Sequence, residues 1–381
     1  ISPAEIRQAI ESDDNLENVS KTIVEHAKRC GSDDNLTCLL VRVDELPIAT
    51  LEEVHRELTS LAIPPVLDVG MRIDGYEVKR VLYSGTRSHL YLVQHPEHSC
   101  PYVLKAPSEN FVDDAQYLEG FVREQWIGLR LDHPSVMKIY PSSNDSQFLY
   151  LLAEYIEGQT LRQWMYDHPN ASLQQIRDIL DGIVKGMRVM QRMEMVHRDL
   201  KPENIMIADD GHIKLIDFGT VKVKGLHEIN SPVSESIPVG SVNYIAPEYL
   251  LDDRCDFRSD IFSIGMIAYE MLSGKLPYAM DHAYRRMPTS ITEWQYQSIK
   301  GHQADIPDWI DCALQKAVHP NIARRYESLS EFVADMSQPN PQLLANRYQS
   351  PLIERNPVLV WQGISLVLFI VMMVHVFLYH S

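Results

Sequence analysis

Apolar residues recur along this chain in three rhythms, and each predicts a different kind of element. Near the start, Ile6 and Ile10, then Val19, Ile23, Val24 and Ala27, fall at helical spacing and predict two short amphipathic helices. A polar turn at 31–35 follows, and then an apolar, β-branched run at 37–43 that reads as a strand. Leu51, Val54, Leu58 and Leu61 return to helical spacing, with Thr50 as a cap and Glu53 as its box partner, until Pro64-Pro65 ends the run. From Met71 the rhythm becomes two. YEVKRVLYSG, HLYLVQH and YVLKAP are short alternating runs parted by turns, as an antiparallel sheet requires. A long helix containing Glu124 comes next, then a near-continuous apolar strand at 148–156. Ser172 and Gln175 form a capping box for a helix carrying Ile176, Ile179, Leu180, Ile183, Val184, Met187 and Met190 on one face. Its methionines, with Met193 and Met195, read as core packing. Another helix starts at Ser259-Asp260 and carries Ile261, Ile264, Ile267, Ala268 and Met271.

The third rhythm is an unbroken apolar run at 358–379, free of Asp, Glu, Lys and Arg. About 22 residues at 1.5 Å each reach about 33 Å, enough to cross a bilayer core. Trp361 and Tyr379 suit the two interfaces, and Arg347 and Arg355 precede the run, which sets the preceding part in the cytoplasm. The formal net charge of −17 argues against a nucleic-acid partner. The five cysteines are scattered without a CxxC, which reads as reduced thiols and not as a disulfide frame or zinc site. The pattern divides the chain at 1–46, a linker at 47–69, a main domain at 70–338, a Pro-rich polar linker at 339–357 and the apolar segment at 358–379.

Candidate chemistry concentrates at 196–219, VHRDLKPENIMIADDGHIKLIDFG. Asp199, Lys201 and Asn204 lie within six residues, and a short apolar strand leads to Asp217-Phe218-Gly219. Phosphoryl transfer asks for a base that orients a hydroxyl, oxygen ligands for a divalent cation, and a cation for the charge on the transferred group. Lys105 in Val-Leu-Lys and Glu124 on the following helix supply a further opposite-charge pair. Read singly, these are a strand lysine, a helix surface charge and turn-capping carboxylates.

Together they resemble the catalytic and metal-binding loops of an eukaryotic-like serine/threonine protein kinase, over roughly residues 76–336, with Lys201-Pro202-Glu203-Asn204 pointing to the serine/threonine class. The resemblance implies an α+β, two-lobed kinase fold with a small antiparallel β lobe and a large helical lobe. It implies ATP and Mg²⁺, or Mn²⁺, between the lobes, and protein Ser/Thr side chains as substrates. Asp199 would orient the hydroxyl proton, Lys201 and Lys105 would neutralise phosphate charge, and Asn204 and Asp217 would hold the metal. Glu124 would position Lys105. Leu82, Gly85 and Leu90 would join the nucleotide site, and backbone groups near Glu154 and Ile156 would read the base beside a small Ala153. Arg198 would meet a phosphate on the segment containing Ser231, Ser234 and Ser236, which ends at Ser241 and Ala246-Pro247-Glu248, while Glu248 would pair with Arg325. One departure stands out. The family's G-x-G-x-x-G loop falls here on Tyr83, Gly85 and Ser88, so only the middle glycine is kept.

Residues 1–46 carry a second resemblance, on Gly31, Ser32, Asp34, Asn35 and Thr37. These resemble the closing turn of a metal-dependent PP2C-type protein phosphatase, an α/β sandwich, in which Asp34 would be a Mg²⁺ or Mn²⁺ ligand. The family's upstream aspartates are missing, so this piece is not expected to hydrolyse phosphate alone. The expectation is the C-terminal part of a bacterial phosphatase–kinase fusion, anchored in the inner membrane by its last helix. Two other readings differ in class: a pseudokinase module that binds nucleotide and controls the phosphatase, supported by the degenerate loop, and a working phosphatase.

Overall fold

In the computed structural model, which describes residues 1–32, 34–42, 53, 58, 61–143, 145–223, 242–251, 256–278, 293–349 and 357–380, the chain falls into two units, Ile1–Thr50 and Leu51–Ser381. In the first, α1 (Pro3–Glu11) opens on a full capping box. Ser2 Oγ accepts from Glu5 N–H, and the Glu5 carboxylate accepts Ser2 N–H at 2.7 Å. Helix α2 (Leu16–Arg29) is capped by Asn15 and ends on Lys28 and Arg29, as the helix dipole favours. Val19 and Ile23 are its buried residues. The strand expected at 37–43 is not formed over 37–42, where Leu39 and Val41 are 83% and 76% exposed, and Val43 lies outside the described residues. A strand needs a neighbour to take its N–H and C=O groups, and among the described residues of this unit none pairs with it. Among the described residues of this unit, no strand and hence no layer of an α/β sandwich is formed.

The second unit begins with the sheet that the alternating runs predict. Its strands are β1 (Arg72–Ile73), β2 (Tyr76–Ser84), β3 (Ser88–Gln94), β4 (Tyr102–Pro107), β5 (Ile139–Tyr140) and β6 (Leu151–Glu154), in spatial order β1-β2-β3-β4-β6-β5 and antiparallel throughout. Alternation along β3 buries His89, Tyr91 and Val93. Tyr91 and Val93 pack with Val78, Leu104, Tyr150 and Leu152 in a core of their own. Helix α3 (Ala115–Gly128), capped by Asp114, lies on the other face and buries Phe121, Val122 and Ile127.

The rest of the unit is mainly helical: β7 (Gly158–Thr160), α4 (Leu161–Asp167), α5 (Leu173–Arg192), β8 (Met195–Val196), β9 (Ile205–Ala208), β10 (Ile213–Leu215), β11 (Lys222–Val223), α6 (Pro247–Leu251), α7 (Phe257–Ser273), α8 (Asp308–Ala317), α9 (Leu329–Ser337), α10 (Pro341–Gln349) and α11 (Pro357–His380). Helix α5 opens on the expected Ser172–Gln175 box and buries the expected face, Met187 and Met190 included. Strand β10 lies directly on it. A Cβ at Gly182 would come within 2.4 Å of Ile213, and one at Gly186 within 2.8 Å of Leu215. This close approach fixes the strand that delivers Asp217. Helix α7 is buried on nearly every side and starts at Phe257, capped by Asp256, two residues before the sequence places it. Part of the expected linker at 339–357 is helical as α10, because the Asn340 carboxamide accepts Gln342 N–H and caps it. The helix expected over 51–61 falls mostly outside the described residues, as do the serine-bearing segment 231–236 and Ser241. In α11 the described side chains are those of 360–373 and 375, among them exposed Trp361 and Phe369. Among the described residues no helix is long and apolar enough to cross a membrane.

Beneath α6, the Arg325 guanidinium grips Glu248 with two bonds of 2.7 and 2.6 Å. Ser259 Oγ donates to the same carboxylate at 2.6 Å, and Arg325 also donates to the carbonyls of His319, Arg258 and Pro320. Both charges are buried, so removing one strands the other. Arg325→Ala is expected to destabilise the chain by about 3–5 kcal/mol, read as a lower urea midpoint. Arg325→Lys recovers little of this, because an ammonium cannot reproduce the fork.

Candidate functional site

Four segments of the second unit bring their polar side chains to one cleft. Lys105 stands on β4, opposite Leu90 on β3 and Leu151 on β6. Its Nζ lies 2.6 Å from Glu124 Oε2 on α3. Burial opposes the charge on Lys105, but Asp217 and Glu124 outweigh it and hold the ammonium above its ordinary range. Burial also opposes ionisation of Asp217, yet Lys105 and Lys201 hold that carboxyl below its ordinary range. Glu124 is pushed up to about 7, by burial first, with the pull of Lys105 opposing and Asp217 adding. The Lys105 ammonium thus favours the ionised form of both carboxylates, with Lys201 adding at Asp217.

The loop after β8 holds the second cluster. Lys201 Nζ donates to Asp199 Oδ2 at 2.6 Å. Asn204 Nδ2 donates to the Asp199 carbonyl at 2.8 Å and to Oδ2 at 3.1 Å. Burial raises the Asp199 carboxyl, while Lys201 opposes the rise. The cluster sits on strained backbone. Arg198 and Asp217 take φ of 68° and 69°, a left-handed conformation that side-chain-bearing residues seldom adopt.

The strain is held from α7. Asp260 accepts the N–H groups of His197 and Arg198 at 2.9 and 3.1 Å. Burial pushes its carboxyl up to about 7, although these two bonds pull it down. Thr220 Oγ1 donates to the His197 carbonyl at 3.0 Å, and Gly219 N–H donates to Asp217 Oδ1 at 3.2 Å. Burial pulls the His197 imidazole down to about 4, so the ring is neutral. Asp260 is a residue that sequence reasoning missed, since Ser259-Asp260 read only as a helix start. The signal was there: a carboxylate in the first turn of a strongly apolar helix needs a partner once that helix is buried.

At the back, Ala153 is buried on β6 and Glu154 follows it. Glu154 N–H donates to the Lys138 carbonyl at 2.9 Å. Its carboxylate takes Lys214 Nζ on both oxygens at 2.7 Å and Lys138 N–H at 2.8 Å. The brace from Lys214 is another feature the sequence alone did not show. Ile156 lies in the short stretch between β6 and β7. Leu82 and Leu90 sit on β2 and β3, on either side of the turn with Gly85. Arg198 is buried in the loop, whereas Ser241 is outside the described residues.

Asp34 belongs to the first unit. It is exposed, and its Oδ1 accepts the N–H of the next residue, Asn35, at 2.7 Å. Among the described residues, no group of three or more His, Cys, Asp or Glu side chains is arranged to hold a metal by itself. Among the described residues, no hydrolytic centre is assembled around Asp34.

With this geometry in hand, comparisons with known proteins are specific. A protein kinase domain model matches residues 76–346, well over half of the chain. The chain is similar to the serine/threonine-protein kinase PknL of Mycobacterium tuberculosis, with 29% identity over 280 residues that cover 72% of this chain and 68% of PknL. It is similar to the serine/threonine-protein kinase PrkC of Bacillus subtilis, with 27% identity over 269 residues, 70% of this chain but only 41% of PrkC. In fold it is similar to the crystal structure of the Mycobacterium tuberculosis PknI kinase domain, with a TM-score of 0.57, 24% identity, and coverage of 72% of this chain and 100% of that one. The chain belongs to the protein kinase domain family, and it is a serine/threonine protein kinase, a transferase.

Proposed function

We propose that the cleft moves the γ-phosphoryl group of ATP onto Ser or Thr hydroxyls of proteins. The observation that carries this reading is the pairing of Lys105 with Glu124 at 2.6 Å, together with Lys201 and Asn204 both donating to Asp199. Lys105, held charged, meets the anionic phosphates, and Glu124 keeps it from swinging away. Asp199 accepts a hydrogen bond from the substrate hydroxyl and orients its proton. Lys201, already at the Asp199 carboxylate, faces the charge that builds on the transferred group. Backbone groups of Glu154 and Ile156 supply polar contacts for the base, and Leu82 and Leu90 cover its faces.

The donors fit Mg²⁺ or Mn²⁺. Asp217 is held ionised, and Asn204 has spent its amide N–H on Asp199, which leaves the amide oxygen as its acceptor. Asp217 and Asn204 would hold such a cation through these two oxygens, and when bound it would screen the phosphate charge. The complete set of charged residues favours an active enzyme over a pseudokinase module.

Two further proposals concern the ends of the chain. Although the described residues do not by themselves make a membrane span, the run at 358–379, free of Asp, Glu, Lys and Arg in the sequence and with Trp361 and its neighbours exposed, supports a single-pass anchor with the kinase on the cytoplasmic side of a bacterial membrane. The Gly-Ser-x-Asp-Asn-x-Thr turn at 31–37 supports the closing end of a PP2C-type phosphatase, fused ahead of the kinase. Recovery of upstream coding sequence without metal-binding aspartates would remove that second proposal.

Asp199→Asn should lower phosphate transfer to a protein substrate by at least ~10²-fold, with ATP binding retained. Equal rates in the two proteins would sink the mechanism. The acid side of the pH profile tests Glu124. Below about 7 its carboxyl takes up a proton and the pair with Lys105 weakens, so kcat/KM for ATP should fall as pH drops. Glu124→Gln should lower activity and flatten that limb. The stability contribution of Glu124 runs the other way. The folded chain holds this proton more tightly than the unfolded chain, whose glutamate titrates near 4.5, so the contribution grows as pH falls from about 7 toward 4.5 and is lost as pH rises through 7. A vesicle flotation assay tests the anchor: the full chain should rise with bacterial-lipid liposomes, and a chain ending before Pro357 should stay at the bottom.

A further inference from the structure

The turn between β2 and β3 lacks two of the three glycines that usually let such a turn settle on phosphates, yet it is not loose. Gly85 N–H donates to the Ser88 carbonyl at 3.1 Å. Ser84 Oγ and His89 Nδ1 are 3.0 Å apart. The Tyr83 ring folds over Gly85, where a Cβ would lie 2.3 Å from the Tyr83 hydroxyl oxygen. The retained glycine therefore also seats the tyrosine that stands in place of the first one.

Two positions beyond Gly85, Arg87 is tied to a different element. Its carbonyl accepts Tyr117 Oη–H at 2.6 Å and Ser108 N–H at 2.8 Å. Its guanidinium carbon lies 5.4 Å from the Phe111 ring centroid and 5.7 Å from that of Tyr117, and the two rings are 4.9 Å apart. These distances are within cation–π range. Burial pushes the Tyr117 phenol up to about 12, so it remains a donor at neutral pH. Tyr117 lies in the first turn of α3, where Asp114 Oδ1 accepts its N–H at 2.9 Å. Glu124 is seven residues further on, two turns along the same face and about 10 Å up the axis.

We propose that Arg87, Tyr117 and Phe111 are positioning residues that clamp the phosphate-covering turn to α3, so that the turn and the Lys105–Glu124 pair move as one body. Side-chain contacts here replace the backbone freedom that the missing glycines would give. A displacement of the turn tip is carried through Tyr117 to Glu124, and the lysine that meets the phosphates is presented only when the turn is in place.

The proposal rests on the reading of the cleft as an ATP site, and the experiment separates the two. Hydrogen exchange is followed at 84–90 and 117–124 in the full chain without nucleotide, for the unmodified protein, Arg87→Ala and Tyr117→Phe. Each variant should speed exchange by roughly three- to tenfold in both segments, the effect of losing one hydrogen bond or its equivalent. Exchange that rises only in the segment carrying the substitution overturns the clamp. KM for ATP is measured alongside. Tyr117→Phe should raise it roughly three- to tenfold, and in a Glu124→Gln background the same change should have less than about a twofold effect. Full additivity of the two substitutions also overturns the clamp. If the unmodified chain shows no ATP-dependent transfer while the exchange remains reciprocal, the ATP reading falls and the clamp stands.

Discussion

A single ammonium group between two carboxylates is the constraint on which the cleft depends. Lys105 comes from the sheet, Glu124 from α3 and Asp217 from the strand laid on α5, and each reaches the others only if three different elements are in register. Counting Lys201 and Asp199 with them, the cleft buries three carboxylates against two ammonium groups, which leaves one carboxylate in excess. Burial pushes Glu124 up, while Lys105 and Lys201 hold Asp217 down. A divalent cation held by Asp217 would offset that excess negative charge.

The catalytic loop obeys a second constraint, in backbone form. Two residues with side chains, Arg198 and Asp217, are held at φ near +70°, a strain of order 1–3 kcal/mol each. Asp260 holds the first by taking both N–H groups of the turn from inside the helical core. The carboxylate bears a large desolvation cost there, and it is tolerable because the bonds it receives come from buried groups that would otherwise lack partners. The Glu248–Arg325 pair does the same kind of work a turn of helix away, through Ser259 next to Asp260. Stability and catalytic geometry thus share one patch of α7.

How much of this was legible in the sequence depends on the range of the interaction concerned. Period-two alternation over 76–107, the capping box at Ser172 and the spacing from Asp199 to Asp217 are local patterns, and the elements form where they predict. The pairing of Lys105 with Glu124 was legible only through family resemblance, because nothing local joins residues 19 positions apart. Asp260 and Lys214 were missed because their partners lie across the fold, 63 and 60 positions away in sequence. The strand expected at 37–43 failed for the opposite reason. Its local signal is sound, but a strand is a property of a pair, and the described residues of that unit hold no partner.

The phosphate cover shows the same lesson from the side of function. Counting glycines at 83, 85 and 88 makes the turn look deficient, since Tyr83 and Ser88 lack the freedom of glycine. In three dimensions the deficiency becomes order: the Tyr83 ring lies over Gly85, Gly85 is bonded to Ser88, and Arg87 is held by α3. A glycine-rich cover is flexible and loses entropy each time it closes on a nucleotide. A turn already tied down has lost that entropy during folding, so it binds with less reorganisation but adapts less to what it binds. The missing glycines therefore exchange adaptability for a link to Glu124, and the catalytic floor and its cover are parts of one arrangement.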